Sequence, residues 1–349
     1  MDLNRIFVKN CCPTKVGGQA ILEGLMMRGS RALAIAVRKP NGNIHLTVEP
    51  LPQRAKWKKI PILRGVVSFV ESLYIGTTIL FYGADLIEKW DEEAQAAQTE
   101  NNDDEKKKSE GLEKGAILLS VVLSLVLVVG LFMLLPTFIL NLVREAGLTN
   151  VILLNLLEGL VRIIIFVAYI SACSLMPEIK RTFEYHGAEH KTIHCYESGL
   201  ELTPENAQTF YTLHPRCGTS FMMFVMVIAI LVHAFFGWPT LWLRLLTRIG
   251  SLPIIAGLSY ELLQFTGRHG GKLVQILSLP GILLQKVTTN EPTLDELEVA
   301  IVAMKAVLPS HEDANVPVDY WVGEVLSDGT YVKDEEETLE YIKTKEKLK

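Results

Sequence analysis

The 349-residue sequence has few cysteines and no large excess of charge of either sign. Its five cysteines are an odd number and only Cys11 and Cys12 are adjacent, which excludes a disulfide framework and favours a reducing compartment. The formal net charge of −5 leaves no electrostatic case for binding nucleic acid. Charged residues make up 21% of the chain and hydrophobic residues 49%, with a mean hydropathy of +0.26. This balance indicates a membrane protein.

Four apolar stretches are long enough to cross a bilayer, which takes about 20 residues. They cover about 115–143, 151–176, 217–243 and 249–266. The first has no charged side chain, whereas the second carries Glu158 and Arg162 one helical turn apart, where they can form a structural ion pair. The third carries His233, which we expect to pack against a neighbouring helix, and the fourth carries Glu261. The sequence predicts a mainly α, polytopic membrane protein with about four transmembrane helices.

Two further apolar segments are not predicted to span. Residues 62–86 mix charged and apolar side chains in a pattern typical of an interfacial or re-entrant helix, and whether this segment crosses the membrane stays open. Residues 273–284 are interrupted by Pro280, so we expect them to lie along the surface. Lysine and arginine are concentrated before the first span and in the loop 177–217, which predicts a multi-pass topology with that side and both termini in the cytoplasm.

Five regions follow from these patterns. They are an N-terminal soluble region (1–60), the interfacial or re-entrant helix (61–90), a charged linker (91–114), a four-helix membrane domain with a cytoplasmic histidine-rich loop at 177–217 (115–290), and a C-terminal helix with an acidic tail (291–349). Alternating apolar residues on both sides of Asn41-Gly42 predict a β-hairpin in the first region. The glycine-rich stretch 17–29 before it forms either a backbone loop at a site or turns that enter the hairpin. Thr293 and Glu296 predict a helix start with a capping box, and residues 309–349 are expected to be loosely held.

The candidate chemistry lies between residues 186 and 217. His186, His190 and His194 are spaced four apart, so on a helix they share one face and neighbouring imidazoles can reach one zinc ion. The first two also fit the pattern His-x-x-Glu-His, in which Glu189 acts as the general base. We expect His194 or Glu261 as the third ligand. The alternative is an amphipathic interfacial helix with purely structural histidines.

The segment 213–220 adds further candidates. His214 and Cys217 can provide metal ligands or a thiolate, and Arg216, like Arg28 earlier in the chain, can orient an anionic substrate group. The other interpretation is a turn shaped by Pro215, with a small buried cysteine at the start of a helix.

Three motifs together resemble a known family. Gly17-Gly18-Gln19-Ala20 with Glu23-Gly24 and Met26-Met27-Arg28-Gly29, then Tyr185 to Thr192, then His214 to Ser220, are similar to the YqhQ-like proteins. These are bacterial membrane proteins of unknown function that are described as predicted metal-dependent enzymes. The resemblance covers about residues 15–305 and implies a bacterial inner membrane location and a metal, but no substrate.

Three functions compete on this basis. The first is a membrane-embedded metal-dependent hydrolase, with a divalent metal such as zinc, that acts on a peptide or lipid at the inner membrane surface. The second is a non-enzymatic metal-binding membrane protein, either a transporter or a sensor. The third is an assembly or scaffold protein. Membrane lipid is the expected partner in each case, and the sequence identifies no protein partner.

Overall fold

The computed structural model describes residues 6, 14–52, 60–96, 119–237, 240–269, 271–308 and 319–347, with backbone alone at 95, 96, 241 and 245. The chain divides into two compact units. The first unit contains Met1–Glu88, Cys173–Phe224 and Ala256–Lys349, and the second contains Lys89–Ala172 and Val225–Ile255.

Strands and helices follow one another along the described residues. The strands are β1 (Gly17–Ile21), β2 (Gly24–Arg28), β3 (Ala32–Arg38), β4 (Ile44–Pro50), β5 (Trp321–Val325) and β6 (Tyr331–Lys333). The helices are α1 (Leu63–Ala96), α2 (Leu119–Glu145), α3 (Val151–Cys173), α4 (Pro177–Glu197), α5 (Pro204–Gln208), α6 (Gly218–Ala234), α7 (Leu241–Arg268), α8 (Lys272–Thr288), α9 (Leu294–Val307) and α10 (Glu335–Lys347). Within α2, residues Gly130–Leu134 are π-helical.

The predicted hairpin is confirmed and belongs to a larger antiparallel sheet. β3 and β4 pair from Ala32↔Pro50 to Arg38↔Ile44, and Gly42 in the turn has a φ of +89°, which glycine adopts without strain. The glycine-rich stretch forms a second hairpin of β1 and β2. The six strands follow the order β1-β2-β3-β4-β5-β6.

The sheet is buried on both faces. Alternate residues such as Leu25, Ala34 and Leu46 pack against α4 and α9 in the main hydrophobic core of the first unit. The opposite face meets α1, where the hydroxyl of Tyr82 hydrogen-bonds to Thr47 at 2.9 Å. The predicted capping box at the start of α9 is confirmed.

The expectation of a loosely held C-terminal tail is wrong for the described residues after 319. β5 pairs with β4 from Ile44↔Val325 to Val48↔Trp321, which satisfies the backbone groups of β4 that would otherwise form an open edge. Val322 and Val325 are buried in the process. The acidic composition of this region gave no sign of its two short strands, of which β5 pairs with a strand far away in sequence and β6 pairs with β5.

The expected interruption at Pro280 is also wrong. α8 continues through this proline, although proline lacks the N–H that a helix interior uses. Ser278, Ile282 and Gln285 are completely buried, so tertiary packing on one face of α8 outweighs the local cost. The helix is therefore a packed element of the first unit and not a surface segment.

Three described helices are long and apolar enough to cross a membrane, namely α1, α2 and α3. α2 and α3 match the first two predicted spans, and α1 is a continuous helix of 34 residues where the sequence suggested an interfacial or re-entrant one. Four spans are not confirmed: α6 has only 17 residues, and α7 is not among these three helices. By the length and apolar composition of these three helices, the chain is a helical membrane protein. Most of the predicted charged linker lies outside the described residues.

Two sequence-based expectations in the second unit are confirmed. Arg162 pairs with Glu158 at 3.2 Å, and the Nε2 of His233 hydrogen-bonds to Ser251 of α7 at 2.9 Å.

Candidate metal centre

The central histidines lie one turn apart on α4. The rings of His186 and His190 have their centroids 4.5 Å apart, and His190 is 1% exposed. The helix begins at Pro177, where a proline costs no hydrogen bond, and is buried over most of its second half. The predicted helix and its histidine face are thus both present.

Gly187 permits the close approach of another segment to this helix. A Cβ atom at this position would lie 2.1 Å from the backbone oxygen of Asn290. The segment after α8 therefore passes directly over α4, and the carbonyl of Thr288 meets the Nδ1 of His186 at 2.8 Å. Gly187 weakens the helix locally, but it lets this segment come close enough for the carbonyl of Thr288 to hold the imidazole of His186.

Backbone carbonyls hold both imidazoles by the same nitrogen. The Nδ1 of His186 bonds to Thr288 O, and the Nδ1 of His190 bonds to Thr212 O. Since a carbonyl oxygen only accepts hydrogen bonds, each Nδ1 carries the proton and donates it. In the neutral rings each Nε2 then presents a lone pair, which is the tautomer that metal-binding histidines usually show.

Cys217 stands immediately before α6 and faces these nitrogens. Its Sγ lies 3.1 Å from the Nε2 of His186, and the residue is 7% exposed. Although burial opposes ionisation, His186 and His190 hold the pKa of the Cys217 thiol well below its usual range. Burial also opposes a charged imidazole, but the sulfur of Cys217 raises the pKa of His186 to about 9. The imidazole of His186 and the thiol of Cys217 therefore favour each other's charged form.

These three residues form a fitting ligand set for a metal. One ligand atom from each of His186, His190 and Cys217 lies within 4.8 Å of the others, and no other such group of three occurs among the described residues. The Nε2 of His190 is buried and has no hydrogen-bond partner within the described part of the chain. A buried lone pair without a partner is rare and calls for an explanation such as an ion. Two imidazoles and a thiolate suit zinc.

Glu189 adjoins the ligand set and is anchored by the N-terminal hairpin. Its Oε1 accepts a hydrogen bond from the backbone N–H of Gly18 at 2.7 Å, and the residue is 4% exposed. A Cβ at position 18 would lie 2.9 Å from the Glu189 carboxyl carbon. Burial raises the pKa of Glu189, while His190 and His186 oppose the rise. The glycine-rich stretch therefore contributes both a hairpin strand and a contact to the site.

The other two predicted ligands are bonded elsewhere. The Nε2 of His194 bonds to the carbonyl of Leu213 at 3.0 Å, and burial lowers the pKa of this imidazole to about 4. Both oxygens of Glu261 bond to the guanidinium of Arg64, and Glu261 is not in the ligand group. The structure therefore brings together His186, His190 and Cys217, and places His194 and Glu261 outside this set.

Arg216 belongs to a buried bonding network beside the site. Its guanidinium pairs with Glu197, which is 0% exposed, and donates to the carbonyl of Thr14 at 2.9 Å. Burial favours a neutral Glu197, yet the nearby imidazole of His214, whose Nε2 lies 3.9 Å from Oε2, and hydrogen bonds from Arg216 and the N–H of Thr14 lower the pKa of its carboxyl to about 2. Arg216 thus has partners within the protein, and its observed contacts are those of a positioning residue. Arg28, the other candidate, ends β2.

Gln285 is the main residue that sequence reasoning missed. Its side chain is completely buried, accepts a hydrogen bond from the N–H of His214 at 2.8 Å and donates to the carbonyl of the same residue at 2.9 Å. It also donates to Ser220 at 3.1 Å, so it holds both sides of the loop that carries Cys217. A glutamine directly after the apolar run 280–284 of α8 was the available signal.

Comparison with known proteins agrees with these motifs. Residues 60–310 match the family model described as a protein of unknown function, DUF1385. The chain belongs to the DUF1385 family. It is also 35% identical over 305 residues to the protein named "Uncharacterized protein YqhQ" of Bacillus subtilis (strain 168), which covers 86% of this chain and 94% of that relative. The resemblance to YqhQ-like proteins is thereby confirmed. No solved structure gives a significant match. The DUF1385 match includes all three residues of the ligand set.

Proposed function

We propose that this chain is a membrane-bound, metal-dependent hydrolase that acts on a peptide or lipid at the inner surface of the bacterial cytoplasmic membrane. The observation that carries the proposal is the convergence of His186, His190 and Cys217 within 4.8 Å, with the Nε2 of His190 left without a hydrogen bond. Three protein ligands are the number that catalytic zinc sites use, since the fourth position stays open. Zinc is the metal we expect.

The topology of the sheet supports a location of the site on one side of the membrane. β4 precedes α1 and β5 follows α9, yet the two strands pair. The segments before α1 and after α9 therefore share one side, which requires an even number of crossings between them. α1 packs on the sheet through Gln19 and Tyr82, so α2 and α3 are the favoured pair of crossings. Lysine-rich segments favour the cytoplasm for the shared side and both termini.

The chain's own groups have distinct roles in this proposal. When bound, a divalent cation supplies Lewis-acid chemistry that acidifies water and polarises a carbonyl or phosphoryl oxygen. The carbonyls of Thr288 and Thr212 keep both imidazoles in the tautomer that presents Nε2. Glu189 is the general base, and the Gly18 N–H fixes one of its oxygens. Arg216, predicted to be catalytic, positions the loop before Cys217 instead.

Elemental analysis of the detergent-purified full chain tests the metal. We expect about one zinc per chain in the wild type and loss of zinc in His190→Gln and Cys217→Ser. His194→Gln is the matched control, because His194 stands one turn further on the same helix and bonds to a carbonyl. If His190→Gln keeps as much zinc as His194→Gln, the proposed ligand set is wrong.

Glu189→Gln tests the catalytic assignment. We expect this variant to retain zinc and to lose hydrolysis of any substrate found in a panel of fluorogenic peptides and lipid esters. If zinc is lost together with activity, Glu189 is a ligand and a different group must be the base.

A second candidate function rests on the 3.1 Å contact between Cys217 Sγ and His186 Nε2. A thiolate beside an imidazole at the start of a helix is also the arrangement of a cysteine nucleophile. The two functions separate on chelation, because a metal-dependent hydrolase loses activity with the metal and regains it with added zinc. A cysteine hydrolase stays active without metal and is stopped by iodoacetamide.

A further inference from the structure

The ammonium group of Lys191 on α4 is buried. The side chain is 2% exposed, a degree of burial that lysine reaches only when it is paired. Its Nζ donates to the carbonyl of Gln208 at 2.7 Å and forms an ion pair with the carboxylate of Glu291, which is 64% exposed. Lys180 of the same helix, which is 62% exposed, forms its ion pair at the surface. Since taking a charge out of water is costly, the burial of the Lys191 ammonium needs a further reason.

The first partner of Lys191 begins the segment that holds His190. Gln208 is the last residue of α5, and four residues later the carbonyl of Thr212 accepts a hydrogen bond from the Nδ1 of His190. The ammonium therefore fixes one end of a short connection whose other end orients the imidazole. Because His190 and Lys191 are neighbours in sequence, the same turn of α4 holds both ends of this connection.

The second partner of the ammonium ends the segment that holds His186. Glu291 stands three residues after Thr288, the last residue of α8, whose carbonyl meets the Nδ1 of His186 at 2.8 Å. This segment has another anchor as well, because the backbone N–H of Asn290 donates to a carbonyl of α4 at 2.9 Å. We therefore expect loss of the ammonium to affect His190 more than His186.

The two segments are also joined to each other beside Lys191. The side-chain nitrogen of Gln208 donates to the carboxylate of Glu291 at 3.2 Å. Both segments approach α4 over Gly187, one helical turn before Lys191, where a Cβ would lie 2.1 Å from a backbone oxygen of the second segment and 3.2 Å from a side chain of the first. The glycine lets the segments come close, and the charge-assisted hydrogen bonds of the ammonium hold them there.

We propose that Lys191 is a positioning residue of the metal centre, whose ammonium keeps the carbonyls of the two segments in place against His186 and His190. When the Nδ1 of a histidine donates to a carbonyl, its Nε2 is the nitrogen that remains for a metal. Without the ammonium, His190 is free to take the other tautomer, in which Nε2 carries the proton and cannot bind a cation. The role of Lys191 rests on the proposed metal-dependent function, but the tautomer of His190 is measurable without metal.

Nuclear magnetic resonance of the full chain in detergent, with isotope-labelled histidine and a chelator, tests the proposal. Long-range proton–nitrogen correlations distinguish protonated from unprotonated ring nitrogens, and the signals of His190 are identified by their loss in His190→Gln. We expect Nδ1 alone to carry the proton in the wild type, and a mixture of both tautomers in Lys191→Met. Methionine is unbranched and leaves no buried charge behind, because Glu291 is exposed. Lys180→Met is the matched control on the same helix.

Zinc titration against a chelator of known affinity measures the consequence for the metal centre. Loss of a group that orients a metal-binding histidine typically weakens metal affinity about 10- to 100-fold. We expect a loss of this size in Lys191→Met and none in Lys180→Met. A shifted tautomer with unchanged zinc affinity would overturn a role of Lys191 in the metal centre.

The two measurements separate the role of Lys191 from the proposed function. An unchanged His190 tautomer in a folded Lys191→Met overturns the proposal, whatever the zinc content. If thermal unfolding shows that this variant does not fold, Glu291→Gln takes its place, since it changes an exposed residue and leaves α4 unaltered. We expect a smaller shift in the same direction there, and an unchanged tautomer overturns the proposal as well. If Lys191→Met shifts the tautomer although the wild type binds no zinc, the positioning of His190 is supported and the metal-dependent function is not.

Discussion

Replacing Gly187 by alanine changes the free energy of unfolding in two ways that have opposite signs. Alanine has the higher helix propensity, whereas its Cβ clashes with neighbouring atoms. At a solvent-exposed position inside a helix, the change from glycine to alanine stabilises the helix by about 1 kcal/mol. At position 187 the new Cβ would lie 2.1 Å from Asn290 O and 3.2 Å from the Cγ2 of Thr212. A backbone atom cannot rotate away, so the segment after α8 must shift, and overpacking of this kind costs about 1–3 kcal/mol. Because the propensity gain offsets part of the packing cost, we expect a net destabilisation of up to about 2 kcal/mol.

The same shift should reach the metal centre. Thr288 lies two residues before Asn290, and its carbonyl holds the Nδ1 of His186 at 2.8 Å. Loss of such a supporting hydrogen bond typically weakens metal affinity about 10- to 100-fold. Zinc titration against a chelator of known affinity should therefore show weaker binding by Gly187→Ala, even if the variant folds.

The assay is thermal unfolding in detergent followed by tryptophan fluorescence. The control is Gly250→Ala in α7, where a Cβ meets nothing within 4 Å, so only the propensity gain applies. We expect Tm to fall for Gly187→Ala and to rise for Gly250→Ala, by about 2–4 °C per kcal/mol. A rise in both variants would refute the packing argument and would mean that position 187 tolerates a side chain.

Three further predictions concern single carboxylates and their partners. The pKa of Glu197 is lowered from 4.5 to about 2, so its stabilisation is complete above pH 4.5 and is lost as the pH falls towards 2. This corresponds to about 3 kcal/mol, and Glu197→Gln should remove that part of the pH dependence of Tm. A Cβ at position 18 would lie 2.4 Å from the backbone oxygen of Met26 and 2.9 Å from the Glu189 carboxyl carbon. Gly18→Ala should displace Glu189 and lower hydrolysis more than zinc content; equal losses in a variant whose thermal unfolding shows an intact fold would contradict a base role. Glu261→Gln breaks a partly exposed ion pair and should leave zinc content unchanged, whereas zinc loss would restore Glu261 as a ligand.

Local patterns predicted those features whose partners are close in sequence. The hairpin around Asn41-Gly42, the capping box at Thr293 and the shared histidine face of α4 each depend on residues at most a few positions apart. Turn geometry, helix capping and helical spacing depend on residues within that range. They can therefore be recognised from the sequence before the fold is known.

Features that depend on distant partners were not predictable in the same way. Cys217 was left with two interpretations, because nothing near it shows that α4 brings two imidazoles to its sulfur. Glu261 was favoured as a ligand because a charge in an apolar stretch is costly, but Arg64, almost 200 positions earlier, accounts for that charge. The cost of placing a charge in an apolar stretch identifies a residue that needs a partner. Only the tertiary structure shows which residue that partner is.

The same reasoning applies to the buried imidazole of His190. Its Nε2 and the sulfur of Cys217 offer lone pairs, which a cation satisfies. His194 and Glu261, in contrast, bond to the carbonyl of Leu213 and to the guanidinium of Arg64. The class of ligand and the residues that bind it thus follow from what each side chain leaves unsatisfied in the folded protein. Zinc should accordingly be lost when His190 or Cys217 is replaced and retained when His194 or Glu261 is replaced.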